Sequence, residues 1–357
     1  MLLLFGFRNF SVENPERNFV RRSLTTTSLN EMSSSNSSSV KGDSFTTKAE
    51  QKWSRAANSY VRYFEPMTVV AGRFLLSLLK LRFKHQENEA PYLKVLEAGC
   101  GAGGLAKELL LDASSSSSSL SISELVLTDL SEGMLDRTRV ILNDVVVDEK
   151  RNGDSNSGIQ RVRVEQADFT AFDQQKFPDG YFDRYYSNLC LHYAENPDNV
   201  ICEASRVLKC GDGRGENGGI AGFTVWGRRE KSPVMTIVPN ILKDFRKKEE
   251  PNQKQEVKRS SFHMGEDDEA LRQRFLRDGL FSKCTIVHYP AVLESLDAND
   301  YVEAILDGAP STKKELEEDY SEEDQVKIRR IVQEKALEIL NKGEPLILDM
   351  AMIVAQK

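Results

Sequence analysis

The chain has 357 residues, 39% of them hydrophobic and 29% charged, a balance that excludes collagen-like, coiled-coil and wholly disordered classes. At about 150 residues per domain, this length predicts roughly two domains. A net charge of −7 argues against a dedicated nucleic-acid binder, and no apolar run reaches the roughly 18 residues of a membrane span.

Residues 1–45 are polar, Ser/Thr-rich and without sustained periodicity, and they read as a disordered leader. Arg8, Arg17, Arg21 and Arg22 give the leader a faint likeness to a mitochondrial presequence, against which stand Glu13 and Glu16; Met32 offers a second start. The five cysteines form no CxxC pair and the four histidines are scattered, which points to a reducing, cytoplasmic compartment and no protein-bound metal. Residues 46–84 read as one or two helices within an N-terminal cap spanning 46–91. Seven strands are predicted after it: 92–98, 122–130, 159–167, 181–188, 219–226, 283–290 and 346–355. Helical patterns separate most of them, as in NVICEASRVLK at 199–209. The expected fold is therefore α/β: a Rossmann-like, mostly parallel sheet with helices on both faces. The serine run 114–119 and the segments 151–158 and 210–219 read as loop insertions. Two further stretches, 228–264 and 291–344, break the alternation and read as lid-like insertions. The second holds a marked helix, with Ser321 and Asp324 placed as a capping box and Ile328, Val332, Ala336 and Ile339 as its apolar stripe.

Chemistry concentrates in VLEAGCGAGG at 95–104. An apolar strand ends in Glu97, turns through Gly99, Gly101 and Gly103, and opens a helix at Leu105. Glycines there let a ligand approach the backbone. Gly99, Gly101 and Gly104 also satisfy the dinucleotide fingerprint of NAD enzymes, so the turn alone leaves two cofactors open.

The surrounding segments resemble class I S-adenosylmethionine-dependent methyltransferases. LEAGCGAGG resembles their first motif. LTDLSEGML at 127–135, QADFTAFD at 166–173, FPDGYFDRYYSNLCLHY at 177–193 and EASRVLK…GG at 203–219 follow in the family's order, as do SFHMG at 261–265 and the stretches 276–290 and 348–357. The resemblance covers about residues 50–357 and is nearest the ubiquinone/menaquinone-biosynthesis, small-molecule type. It implies one methyltransferase domain over 46–357, a last strand running antiparallel, and S-adenosyl-L-methionine as cofactor. It further implies that Glu97 orients the turn and the ammonium, and that Gly99, Gly101 and Gly103 lie against the methionine part. Asp129 would accept from both ribose hydroxyls. Leu130 and Met134 would cover the adenine, Asp168 would take its amine, and the Phe169 N–H would donate to its ring. Gly99 and Asp129 stand thirty positions apart, beyond the roughly 20 of such a unit, and the serine run largely accounts for the excess.

Tyr60 resembles an aromatic placed near the cofactor, with plain packing as the other reading. His192 is a candidate general base, or else a structural loop histidine. SNLC after the fourth strand replaces the [DNS]PP[FYW] motif of amide and adenine methylation, and no Pro-Cys nucleophile is present. A small organic methyl acceptor is therefore expected, with no membrane span and no dedicated nucleic-acid partner. The rivals are a protein- or RNA-directed methyltransferase, which the basic stretch 243–259 favours, and a non-catalytic protein that only binds the cofactor.

Overall fold

The computed structural model describes residues 45–81, 92–114, 121–152, 158–211, 218–249, 260–293 and 297–357. The expected leader lies outside the described residues, as do nearly all of the serine run, the centres of the other two loop insertions and 250–259 of the basic stretch.

Two helices come first. α1 (Phe45–Tyr63) and α2 (Glu65–Leu78) part at Phe64, because Pro66 in the first turn of α2 lacks the N–H a continuing helix would use. β1 (Leu93–Ala98), α3 (Gly104–Ser114), β2 (Ile122–Asp129), α4 (Glu132–Asn152) and β3 (Val162–Gln166) then alternate. β4 (Arg184–Asn188), α5 (Pro197–Val207) and β5 (Ile220–Trp226) continue the pattern. α6 (Pro233–Glu249) and α7 (Asp268–Leu276) precede β6 (Lys283–Val292). α8 (Ala298–Val302), α9 (Pro310–Asp319) and α10 (Glu322–Leu340) precede β7 (Ile347–Gln356).

All seven predicted strands form, with different ends. β3 and β4 begin three residues late, leaving only isolated bridges at Ile159 and Phe182, and β6 runs on to Val292. α4 reaches Asn152, into a stretch expected to be loop. The strand order is β3-β2-β1-β4-β5-β7-β6. β1 to β5 pair in parallel, while β7 runs antiparallel to both β5 and β6.

Alternate residues of the central strands enter two different cores, as the two-residue period of a strand requires. Leu96, Val126 and Tyr185 pack with Val200, Ile201 and Phe275 of α5 and α7. Val95, Leu125, Leu127 and Tyr186 pack with Leu75 and Leu79 of α2 and its C-cap and with Leu105 and Leu109 of α3. The two expected lids share a third core: Val234, Val238 and Leu242 of α6 meet Tyr301 of α8, Ile305 in the turn after it, and Ile328 and Val332 of α10. They form one helical layer, tied further by the Tyr301 hydroxyl, which donates to the Val234 carbonyl at 2.9 Å. Ser321 caps α10 by accepting from the Asp324 N–H at 3.2 Å while its hydroxyl donates to the Asp324 carboxylate at 2.6 Å. Among the described residues, no helix is long and apolar enough to cross a membrane.

Asp349 of β7 joins that layer to the sheet. It is 4% exposed. Its Oδ2 accepts from the Arg228 N–H at 2.7 Å, from Arg228 Nε at 3.2 Å, and faces His288 Nδ1 at 2.8 Å. The other ring nitrogen of His288 lies 2.8 Å from Asp268 Oδ1 at the start of α7. Removing one member of a buried charge network strands its partners, at a cost of about 3–5 kcal/mol. Asp349→Ala should lower unfolding stability by roughly that amount in a urea titration; an unchanged midpoint and slope would show that the network does not hold the layer.

Candidate functional site

The strand order reverses between β1 and β4, and in such sheets the crevice outside the carboxyl ends of the strands takes the ligand. A cavity of about 1050 Å³ opens there, larger than one drug-sized ligand fills. The sheet supplies its floor, α1 and α2 one wall, and α6 with the segment from Ile305 to Glu315 the other.

The glycine turn is the floor's most constrained part. The Gly99 and Cys100 N–H groups both donate to the Thr128 carbonyl at 2.8 Å, joining the ends of β1 and β2. The Gly101 N–H donates to Asp129 Oδ2 at 2.9 Å, and the Ser131 N–H to Oδ1 at 2.9 Å. Gly99 has φ +75° and Gly101 φ +58°, in the left-handed region; a Cβ on Gly99 would also lie 2.5 Å from the Cys190 sulfur. Cys190 follows β4, and its thiol donates to the Gly99 carbonyl at 3.3 Å, so the ends of β1 and β4 interlock across the switch point.

Three carboxylates gather at this turn. Glu97 is 1% exposed and its Oε2 accepts from the Tyr186 hydroxyl at 2.9 Å. Burial raises its pKa to about 8; the Tyr186 bond opposes that, and the negative charges of Asp129 and Glu65 add to it. Burial also raises Asp129, against the pull of the Ser131, Gly101 and Leu130 N–H groups. The third carboxylate, Glu65, was not expected from the sequence. It opens α2 and its Oε1 accepts from the Gly104 N–H at 3.2 Å, at the N-terminus of α3. Burial raises Glu65 as well. Its only sequence signal was an acid beside a proline at a helix start, which ordinary capping explains equally well. None of the three forms an ion pair among the described residues.

The cavity is lined by Glu97, Gly99, Gly101, Asp129, Leu130, Met134, Asp168 and Phe169, all expected site residues, together with Tyr60. Asp168 Oδ1 accepts from the N–H and hydroxyl of Thr170, at 2.9 and 2.6 Å, which leaves Oδ2 toward the cavity end of β3. The Tyr60 hydroxyl is 2.9 Å from Thr68 Oγ1, and its ring stands edge-on to Trp53 at 6.3 Å. Asn188, also lining the cavity, is braced by the Thr224 hydroxyl at 2.6 Å and itself donates to the Thr68 carbonyl at 3.0 Å.

Two expected residues are not brought to the cavity. Gly103 lies against the backbone of α4 at Thr138, where a Cβ would come within 3.0 Å. His192 is 4% exposed, its ring packed 4.1 Å from that of Tyr193 and 5.7 Å from that of Trp226. Tyr193 and Trp226 line the cavity and His192 packs against both, outside the lining, the position its reading as a structural loop histidine expects.

Residues 96–212, about a third of the chain, match the sequence profile of a family described as a methyltransferase domain. This segment is similar to a methyltransferase domain. No curated protein matches the chain. Among solved structures, the YcgJ protein of Bacillus subtilis is 14% identical with a TM-score of 0.42, over 80% of this chain and 98% of that one. The phosphoethanolamine N-methyltransferase 2 of Haemonchus contortus, solved with phosphomonomethylethanolamine and S-adenosylhomocysteine, is 14% identical with a TM-score of 0.40, over 80% of this chain and 52% of that one.

The turn carries its own test. Gly99→Ala meets both a left-handed backbone, costing about 1–2 kcal/mol, and the Cys190 sulfur. It should weaken S-adenosylhomocysteine binding in calorimetry at least tenfold, and adding Cys190→Ala should restore only part of the loss. Full restoration would mean that the φ angle is unimportant.

Proposed function

We propose that the protein transfers a methyl group from S-adenosylmethionine to a small organic acceptor by direct in-line displacement. The observation that carries this reading is the meeting of Glu65, Glu97 and Asp129 at one glycine turn with no ion pair among the described residues, Lys107 acting on Glu65 only from a distance. S-adenosylmethionine supplies a sulfonium-activated methyl group and brings an ammonium as well. NAD would bring two phosphates, and the helix N-terminus where a pyrophosphate would sit already holds the Glu65 carboxylate. The charge layout thus supports the sulfonium cofactor and opposes the dinucleotide that the fingerprint left open.

In this reading Glu97 and Glu65 hold the ammonium, and Asp129 accepts from the ribose hydroxyls with the lone pairs its backbone partners leave. Leu130 and Met134 flank the adenine, Asp168 Oδ2 takes its amine, and the Phe169 N–H donates to its ring. Tyr60 closes the site from α1. The chain's residues contribute by holding the reactants in attack geometry, which can supply about 7–11 kcal/mol, and by excluding water. His192 takes no proton here.

The cavity walls from α1, α6 and the segment after α8 support an enclosed small acceptor, as does the motif order resembling the ubiquinone- and menaquinone-biosynthesis enzymes. The basic stretch gives little support to a polymer acceptor: its Arg246 is paired with Glu315 and Asp319 on the surface of the helical layer.

Calorimetry should show binding of S-adenosylhomocysteine and none of NAD; the reverse would end the proposal. Asp129→Ala removes two charge-assisted hydrogen bonds, of about 1.5–3 kcal/mol each at most, and should weaken S-adenosylhomocysteine binding by at least tenfold; unchanged affinity would take Asp129 out of the ribose role.

Glu97 adds a pH dependence. Its folded pKa of about 8 exceeds its ordinary 4.5, so between these values the folded protein keeps a proton the unfolded chain has released, and stability falls as pH rises through that window. An ammonium beside it favours the charged form, so binding expels the proton. S-adenosylhomocysteine affinity should climb toward tenfold per unit between about pH 5.5 and 7.5, and Glu97→Gln should flatten the profile. A wild-type profile already flat would separate Glu97 from the ammonium.

A further inference from the structure

Away from the three carboxylates, the cavity changes character. Trp226, Met235, Val238, Phe262, Ile305 and Leu348 make an apolar wall at the ends of β5 and β7 and on the helical layer. Trp226 and Phe262 meet edge to face, with ring centres 5.0 Å apart. Two cations border this wall: Lys314 of α9, which stands 3.7 Å from Glu318, and Arg229. Arg229 lines the cavity with its guanidinium 5.8 Å from the centre of the Phe262 ring.

Arg229 forms no ion pair among the described residues, and the one hydrogen bond its guanidinium makes there is a long 3.5 Å donation to Asn240 Oδ1. Its backbone is fixed from both sides. The Gly227 N–H donates to the Asp349 carbonyl at 2.7 Å, and the Arg228 N–H to Asp349 Oδ2 at 2.7 Å. Ser232 completes the frame: its hydroxyl donates to the Arg228 carbonyl at 2.8 Å and accepts from the Asp349 N–H at 3.1 Å. The buried Asp349 network thus fixes the backbone that flanks Arg229, and the exposed guanidinium, without an ion pair among the described residues, stands over an aromatic ring, a combination that suits an anion attached to an apolar body. Lys52 and Arg55 also line the cavity, but from α1, the helix packed over the glycine turn, where the methionine carboxylate of the cofactor has first claim on them.

We propose that Arg229 selects the methyl acceptor, and that the acceptor is an apolar or aromatic molecule carrying an anionic group. This rests on the methyltransferase reading for the word acceptor; the anion preference of the apolar wall stands apart from it and can be measured separately.

The test uses the full chain saturated with S-adenosylhomocysteine, titrated with naphthalene-2-carboxylate and with its neutral counterpart naphthalene-2-carboxamide, then with decanoate and decanamide. At least one acid should bind roughly tenfold or more tightly than its amide, the size expected for one charge-assisted contact. Arg229→Gln should abolish the preference, Arg229→Lys should keep part of it, and both variants should bind S-adenosylhomocysteine as the parent does. Acids binding no better than amides, including a titration in which neither binds, overturns the proposal, as does a preference that survives Arg229→Gln. Failure of S-adenosylhomocysteine to bind strikes the methyltransferase reading instead, and the acid–amide comparison on the free protein still decides the role of Arg229.

Discussion

The hydrogen bond from the Gly101 N–H to Asp129 ties the end of β1 to the end of β2 and sets the shape of everything around the cofactor. It holds the turn in a conformation only glycine takes up readily at Gly99 and Gly101, and it aims a carboxylate along the cavity floor. Because each carboxylate oxygen has two lone pairs, Asp129 can brace the turn and still accept from a ribose. The same residue is thus a strut of the apoprotein and, in the proposed reading, a ligand of the complex. The interlock of Cys190 with Gly99 extends the constraint to β4, so all three strand ends at the switch point move together.

From that turn outward the cavity is electrically divided. Negative groups cluster where the cofactor's ammonium and ribose are proposed to lie, and their raised pKa values reflect burial that backbone hydrogen bonds and, for Glu65, the charge of Lys107 only partly offset. A single guanidinium stands at the far, apolar end. Between them runs an aromatic arc from Tyr60 through Trp53 and Tyr193 to Trp226 and Phe262. The helical layer that completes the far wall depends on Asp349, whose burial among Arg228, His288 and Ser232 couples acceptor-side geometry to the integrity of the sheet edge.

The seven strands were legible because each is an apolar run bounded by polar or glycine-rich stretches, and the antiparallel β7 followed from family resemblance rather than from any pattern of its own. Strand ends were less legible: residues 159–161 and 181–183 have strand composition but pair only at single bridges. Most cofactor-side residues were readable, since Glu97, Asp129 and Asp168 sit at strand ends where the chain itself places them. Glu65 was not, because its role depends on α2 docking against Gly104, thirty-nine positions away. Which of the two readings of His192 its surroundings favour was hidden for a related reason. Proximity in sequence to the end of β4 puts its backbone at the site, but the tight turn Leu191–Tyr193 sends Tyr193 to the cavity and leaves His192 behind it. The helices of 291–344 were underread as well: the π-turn Glu303–Asp307 and Pro310 break the periodicity that would have marked α8 and α9.

The most direct measurement is a crystal structure of the complex with S-adenosylhomocysteine. The ribose hydroxyls should lie within hydrogen-bond reach of the Asp129 carboxylate, the amine beside Glu97 and Glu65, and the sulfur should face the wall of Trp226 and Arg229. A ligand bound elsewhere, or bound here with its carboxylate rather than its amine among the three acids, would contradict the assignment.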